Sequence, residues 1–241
     1  MKIKVLGSGT AIPSLKRVSS AYLVITEECN ILVDIGPSVV RRLLEFGYSV
    51  DDIDVIFITH FHVDHTADLS TFFFACNYGE VMRTKPLFIA AGHGMLRFYK
   101  NLSKVYPWIL PKLYELKLYS FQGEAVEIFD IKARAARVNH NKESVGIRID
   151  SDGKSAVFSG DTDYSVNLAK LAQGTDILVV DCAFPEKKVK GHLNLNTLER
   201  IVKKAVPKKV LLSHLYPEWE DYRGVLHAPY LMAEDGMEIL L

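Results

Sequence analysis

Apolar residues in the first sixty positions gather in short β-branched runs. KIKVLG (2–7), AYLVIT (21–26) and ILVDIG (31–36) predict strands, and DVIFIT (54–59) predicts a buried one. Between them VVRRLLEFG (39–47) has helical spacing and ends in glycine, a common helix stop. A helix near 66–76 and a strand at PLFIAA (86–91) follow. From 113 to 150 the pattern alternates: YELKLYS, AVEIFDIKARAARVNH and SVGIRID predict consecutive antiparallel strands, and SDGK (151–154) predicts the turn between two strands. AVFSGD, DILVVD and KVLLSH (209–214) predict three more strands, with helices around 164–172 and 196–205. The expectation is one α/β domain, 1–241, with two sheets and helices outside. Its halves are roughly 1–115 and 116–241, and the stretch 104–120 is the candidate join.

Several of these strands end in a residue that binds protons or metals: His60, His140, Asp161, Asp181 and His214. Strand ends are where an α/β protein usually places its chemistry. The densest case is THFHVDH (59–65), with three histidines and an aspartate. Strand alternation lets His60 and His62 point the same way, while Asp64 and His65 are reached as the chain turns into a helix and aim at a second point. Two metal ions roughly 3.5–4 Å apart need such a divided supply of ligands. Singly, the remote residues have plain readings: His140 as a turn residue, Asp161 as a helix cap, His214 as a strand end. Taken together and in order, they read as one site.

THFHVDH resembles the signature of the metallo-β-lactamase superfamily. So do GSGTAIPS and ILVDIG upstream, and the lone histidine, GDT motif and late SH downstream. The likeness is to the ribonuclease Z-like and phosphoribosyl cyclic phosphodiesterase-like branch. It implies a four-layer αββα sandwich, two mixed sheets with helices on the outer faces and a dinuclear site at the sheet edges. It also implies a ligand set. His60, His62 and His140 would hold one ion, Asp64, His65 and His214 the other, and Asp161 would bridge them. Asp34, in ILVDIG, matches the buried carboxylate that orients the metal loop. Imidazole and carboxylate donors suit two divalent ions, zinc first, with manganese and iron as alternatives. Cys182 follows Asp181 but stands outside the ligand pattern and reads as buried.

Two such ions can hold a bridging hydroxide as nucleophile, which supports hydrolysis without choosing between phosphodiester, thioester, lactone and β-lactam. The stretch VVDCAFPEKKVKGHLN (179–194) makes the choice. His192 resembles the branch's general acid for a departing alkoxide, with Asp181 as the acidic partner that raises and orients it. Asp64 counts with these catalytic groups as well as with the ligands. The plain alternative is that His192 only starts the helix near Asn194. The expected activity is a metal-dependent phosphodiesterase on a small anionic ester, such as a cyclic nucleotide or cyclic sugar phosphate. A lactonase or thioesterase of the same superfamily, and a non-enzymatic metal-stabilised sensor, are the alternatives. Pre-tRNA 3′ processing is disfavoured. Between His140 and Asp161 the chain has length for a hairpin but not for a tRNA-binding arm, and TADLS after His65 departs from that enzyme's glycine- and proline-containing pattern.

Composition narrows the partners. With 29 basic and 29 acidic residues the chain has no general attraction for nucleic acid or anionic lipid. No apolar run approaches the about eighteen residues a membrane helix requires. The N-terminus reads as a first strand rather than a signal peptide. Three cysteines without a pairing pattern suit a reducing compartment, which makes the cytoplasm the expected location. EKKVK (186–190) reads as a solvated turn or as a rim that attracts anionic substrate. FFFACNYG (72–79) reads as a buried helical face, a substrate wall or a dimer surface, and the family resemblance allows a homodimer. His93 and His227 have no place in the ligand pattern.

Overall fold

The computed structural model describes residues 1–121, 123 and 125–241. In chain order the elements are β1 (Lys2–Gly7), β2 (Ala21–Ile25), β3 (Asn30–Val33), α1 (Val39–Glu45), β4 (Val55–Ile58), α2 (Val63–Thr66), α3 (Leu69–Tyr78), β5 (Leu87–Ala91), α4 (Met95–Val105) and β6 (Leu116–Ser120). The rest are β7 (Val126–Ile128), β8 (Ile131–Arg137), β9 (Val145–Ser151), β10 (Lys154–Phe158), α5 (Val166–Leu171), β11 (Ile177–Asp181), α6 (Leu195–Ala205), β12 (Lys209–Ser213), β13 (Tyr230–Met232) and β14 (Glu238–Leu240).

They build two seven-stranded mixed sheets, ordered β14-β1-β2-β3-β4-β5-β6 and β13-β12-β11-β10-β9-β8-β7. Alternation along each central strand explains the stacking. Val55 and Phe57 of β4 face the space between the sheets, where Ile147, Ile149, Phe158, Val179 and Leu211 meet them from the second sheet. Ile56 and Ile58 face the other way, into a cluster with Leu43, Phe72, Phe73 and Met95 of α1, α3 and α4. Leu178, Val180, Val210 and Leu212 face outward from the second sheet onto Leu168, Leu198 and Ile201 of α5 and α6. Sheets covered on both faces need unbroken apolar strands, which is why DVIFI and DILVV lack polar alternation. Helix, sheet, sheet, helix is the four-layer order expected of the metallo-β-lactamase fold. Each fully buried side chain of this kind contributes about 1.5–3 kcal/mol.

Three features differ from the sequence reading. β6 pairs parallel with β5 and completes the first sheet, so YELKLYS does not open the antiparallel run, which starts instead at β7. Alternation alone could not tell which sheet a strand joins. α4 was not anticipated. Its apolar face is sparse, with Met95 buried and Phe98, Tyr99 and Leu102 only packed against the cluster. The short β13 and β14 also went unseen, and β14 returns to the first sheet beside β1, with Ile3 opposite Ile239. In α3, Phe72 and Phe73 are buried whereas Phe74 and Tyr78 are exposed and stacked on each other, 4.6 Å between centroids. No helix among the described residues is long and apolar enough to cross a membrane.

Both sheets end on the same side. The loop after β4 crosses to the second sheet, where the Val145 N–H donates to the Thr59 carbonyl at 3.0 Å. That side carries the site.

Candidate metal centre

The loop after β4 is braced from beneath by Asp34, which follows β3. Asp34 is buried and has φ of +60°, a left-handed conformation that aspartate tolerates better than most residues. Its carboxylate accepts the Thr59 N–H and the Thr59 hydroxyl, each at 2.8 Å, and the Nδ1–H of His65 at 2.7 Å. Gly36 lets the same loop close on the turn beyond, because a Cβ there would lie 1.8 Å from the Asp64 carbonyl oxygen.

These bonds are consistent with one assignment of the ring protons. The Thr59 hydroxyl proton is committed to Asp34, so Thr59 Oγ1 accepts the Nδ1–H of His60, at 3.1 Å. That leaves His60 Nε2 with a bare lone pair, 3.5 Å from Asp161 Oδ2. His65, tied to Asp34 through Nδ1, points its free Nε2 at Asp161 Oδ1, 3.3 Å away, and at Asp64 Oδ2, 3.6 Å away. His140 donates Nδ1–H to the Gly191 carbonyl at 3.0 Å and aims Nε2 at His62 Nδ1, 3.2 Å away. Asn141 is placed with its amide Nδ2 2.9 Å from His62 Nε2. With its amide oxygen turned there it takes that proton and frees Nδ1 as a ligand atom. His214 follows β12 with φ of +56° and brings Nδ1 to 3.5 Å from Asp161 Oδ1.

The donors fall into two neighbouring groups. Ligand atoms of His60, His62, His140 and Asp161 lie within 4.8 Å of one another, and so do those of Asp64, His65 and His214. His60 Nε2, His65 Nε2 and Asp161 Oδ1 are buried without any hydrogen-bond partner among the described residues. Leaving such atoms unpaired costs about 1–3 kcal/mol each. Cations held between them would satisfy all three, so the donor set fits divalent metal. Burial, reinforced by the charge of His65, holds the His60 imidazole well below the ordinary histidine value. Burial would lower His65 too, but Asp161 and Asp34 carry it well above. Asp161 stays far below the usual carboxylate range, as His214 and His65 outweigh the cost of its burial.

Beside the donors, His192 Nδ1 lies 3.1 Å from Asp181 Oδ2. Asp181 ends β11, is buried, and also accepts the N–H groups of Thr162 and Ala183, at 3.1 and 3.0 Å. Burial would lower the His192 pKa. The hydrogen bond and charge of Asp181 overcome that and push it up to about 9 in the protein without cations. Burial pushes the Asp181 carboxyl itself up. Ligand atoms of Asp161, His192 and His214 fall within 4.8 Å, so this pair adjoins the candidate donor groups.

Thr59, Asn141, Gly191 and Tyr216 belong to the site but escaped the sequence reading. Two had a signal: Thr59 precedes His60, and Gly191 precedes His192. Gly191 has φ of +86°, and a Cβ there would lie 2.8 Å from His140 Nδ1. Tyr216 sets its ring edge-on to His192 and His214, at 6.0 and 5.9 Å, with Phe184 stacked against it at 4.6 Å. His93 lines a separate depression with Leu96 and Phe121, and His227 another with Tyr222 and Tyr230. Cys182 is buried, and its thiol is pushed well above its ordinary value by burial.

The sequence model of the family described as "Anti-Pycsar protein Apyc1" matches residues 1–234. The chain is 24% identical to the probable metallo-hydrolase YhfI of Bacillus subtilis over 221 residues, 89% of this chain and 87% of YhfI. It is 25% identical to ribonuclease Z of Mycobacterium bovis over 252 residues, 90% of this chain and 86% of that one. The crystal structure of YhfI superposes with a TM-score of 0.82 at 21% identity, covering 99% of this chain and 98% of YhfI. A diphosphatase of the PhnP family superposes with a TM-score of 0.74 at 24% identity, covering 100% and 97% of the two chains. With a family match that runs almost end to end over a fold of this architecture, the chain belongs to the Apyc1 family of anti-Pycsar proteins, in the ribonuclease Z-like branch of the metallo-β-lactamase superfamily.

Proposed function

We propose that the protein is a metal-dependent phosphodiesterase acting on a small anionic ester, a cyclic nucleotide or cyclic sugar phosphate. The observation that carries this reading is the pair of half-buried His192 and buried Asp181 set against the donor cluster. His60, His62, His140 and Asp161 would hold one divalent ion, zinc being the best match to these donors, and Asp64, His65 and His214 the other. Bound there, such ions supply Lewis-acid polarisation of the phosphoryl group and an activated water.

The chain's own residues do the rest. Asp34, Thr59, Gly191 and Asn141 fix the imidazole orientations, so the donors need no reorganisation when substrate arrives. Attack of water on phosphorus, its released proton passing to solvent, breaks the P–O bond to the departing alkoxide, a poor leaving group. His192, held through Nδ1 by Asp181, delivers its Nε2 proton to that oxygen as the bond breaks. The related names ribonuclease Z and diphosphatase describe reactions at phosphorus–oxygen bonds, which supports the choice of phosphodiester.

A small substrate is favoured by the segment between His140 and Asp161. β9 and β10 fill it as a tight hairpin, turning at Asp152 and Gly153, both with positive φ. A hairpin this short supports a small substrate over a clasped tRNA.

The test is His192→Ala assayed on bis(p-nitrophenyl) phosphate and on a panel of cyclic nucleotides, lactones and thioesters. Metal content should stay at the wild-type level while turnover of the cyclic nucleotides, whose leaving group is an alkoxide, falls by about 10²–10⁴-fold, and that of bis(p-nitrophenyl) phosphate, whose phenolate needs little protonation, falls less. Undiminished cyclic-nucleotide turnover, or wild-type lactone turnover that exceeds diester turnover, would overturn the reading.

A further inference from the structure

The two loops that carry His140 and His192 into the centre also carry cations away from it. A depression of about 610 Å3 opens beside the centre and shares His140 and Gly191 with it as wall. Arg137, Lys142, Lys188, Lys190 and Arg200 line it against a single carboxylate, Asp163. That excess is local, since basic and acidic residues balance at 29 each over the whole chain. None of the five cations forms an ion pair among the described residues, whereas neighbours of the same kind, Arg148, Lys203 and Lys208, are each paired to a carboxylate. Asp163 is itself partly satisfied, accepting the Tyr164 N–H at 2.6 Å.

One of the cations is preorganised. The Arg200 guanidinium lies 4.1 Å from the centroid of the Tyr164 ring, and Tyr164 is fixed in turn by Lys204, whose Nζ donates to the Tyr164 hydroxyl at 2.8 Å. A guanidinium stacked on a ring keeps its in-plane N–H donors free for a bidentate oxyanion. Unpaired lysines around it add charge without a fixed geometry. Such a wall favours a compact, multiply charged oxyanion with an apolar or aromatic body beside it.

The charge change of the proposed reaction says which oxyanion. A phosphodiester carries one negative charge. The monoester left by its hydrolysis carries close to two at neutral pH, because its second pKa is about 6. Attraction to the same set of cations scales with that charge. We propose that the depression is a binding site for a phosphomonoester dianion, and that it holds the product of the neighbouring centre. The product role rests on the phosphodiesterase reading, and the anion binding does not.

The experiment titrates adenosine 5′-monophosphate, inorganic phosphate and dimethyl phosphate into metal-loaded wild-type protein and into Arg137→Glu/Arg200→Glu. A milder Arg137→Gln/Arg200→Gln pair covers the case in which charge reversal disturbs folding. Wild-type protein should bind the two dianions saturably and the diester monoanion at least tenfold more weakly. The Glu pair should lose at least tenfold in dianion affinity and the Gln pair part of that, with metal content unchanged in both. Dianion affinity within twofold of wild type in the Glu pair, equal binding of dimethyl phosphate, or retention of a long RNA with neither dianion bound would each overturn the site. Turnover of bis(p-nitrophenyl) phosphate is recorded in parallel. Its absence from wild-type protein removes the product role, while the titrations still decide whether the site binds phosphate.

Discussion

The two sheets supply the candidate centre in different ways. The first gives His60, His62, Asp64 and His65 from one continuous turn, braced by one buried carboxylate from the adjacent strand. The second gives His140, Asp161, Asp181 and His214 singly, each from the end of a different strand, and His192 from a loop. The first set is held by local bonds and would keep its shape if the sheets shifted. The second is only as well placed as the packing between the sheets. Asp161 is where they meet, within 3.5 Å of His60, His65 and His214.

The largest expected effect therefore comes from Asp161→Ala. It removes the one side chain that faces both donor groups and leaves the His60 and His65 nitrogens without their neighbour. Phosphodiester turnover should fall by about 10³-fold or more, with loss of metal from both positions by elemental analysis. A variant that kept both metals would mean the two groups are independent.

Asp34→Ala is next and strikes the local set alone. The Thr59 N–H and the His65 Nδ1–H lose a buried acceptor, so stability should drop by about 1–3 kcal/mol for each group left unpaired. Metal affinity, measured by chelator competition, should fall by about 10–100-fold. An unchanged affinity would show that the turn needs no brace.

The third test separates the sets by packing. Phe158 lies in the inter-sheet core against Tyr22, 5.2 Å between centroids, and Leu43 lies in the outer layer on the buried face of α1. Phe158→Ala should cost about 3–5 kcal/mol and Leu43→Ala about 2–5 kcal/mol in denaturant unfolding. Only the first should also weaken metal binding, because it loosens the strands that carry Asp161, Asp181 and His214. Equal loss of metal from both variants would defeat the comparison.

The same contrast decides what the sequence could reveal. THFHVDH is legible because its donors are adjacent and follow an unmistakably buried strand. The scattered donors are legible only in order, as polar endings to apolar runs. What fixes their orientation has no comparable mark. Asn141 and Tyr216 are ordinary loop residues until the sheets bring them against His62 and His192. The fold itself was readable where both faces of a strand are buried, as at 54–58 and 176–181. It was misread at β6, which is amphipathic, and missed at β13 and β14, whose three residues each are too short to show a period. The basic depression lay half in view, in EKKVK, but Arg137 and Arg200 come from opposite ends of the second half of the chain.

The smallest effect concerns His192, whose ring is tied to Asp181 by one hydrogen bond. In protein stripped of metal its pKa is raised to about 9 from an ordinary 6.5. Between those values the folded protein binds a proton that the unfolded chain does not, so stability falls as pH rises across that window. The contribution is complete below 6.5 and gone once pH passes about 9. Urea midpoints of chelator-treated protein should therefore decline from pH 6.5 to 9.5, and His192→Gln should flatten that decline in part, because His65 is raised as well and contributes in the same direction. Asp181→Asn should flatten it too, by removing the partner that raises the imidazole. With cations restored the decline should shrink even in wild-type protein, because positive charge beside His192 opposes its protonation. A slope that persisted unchanged in both variants would place the titrating group elsewhere and leave His192 with no electrostatic tie to Asp181.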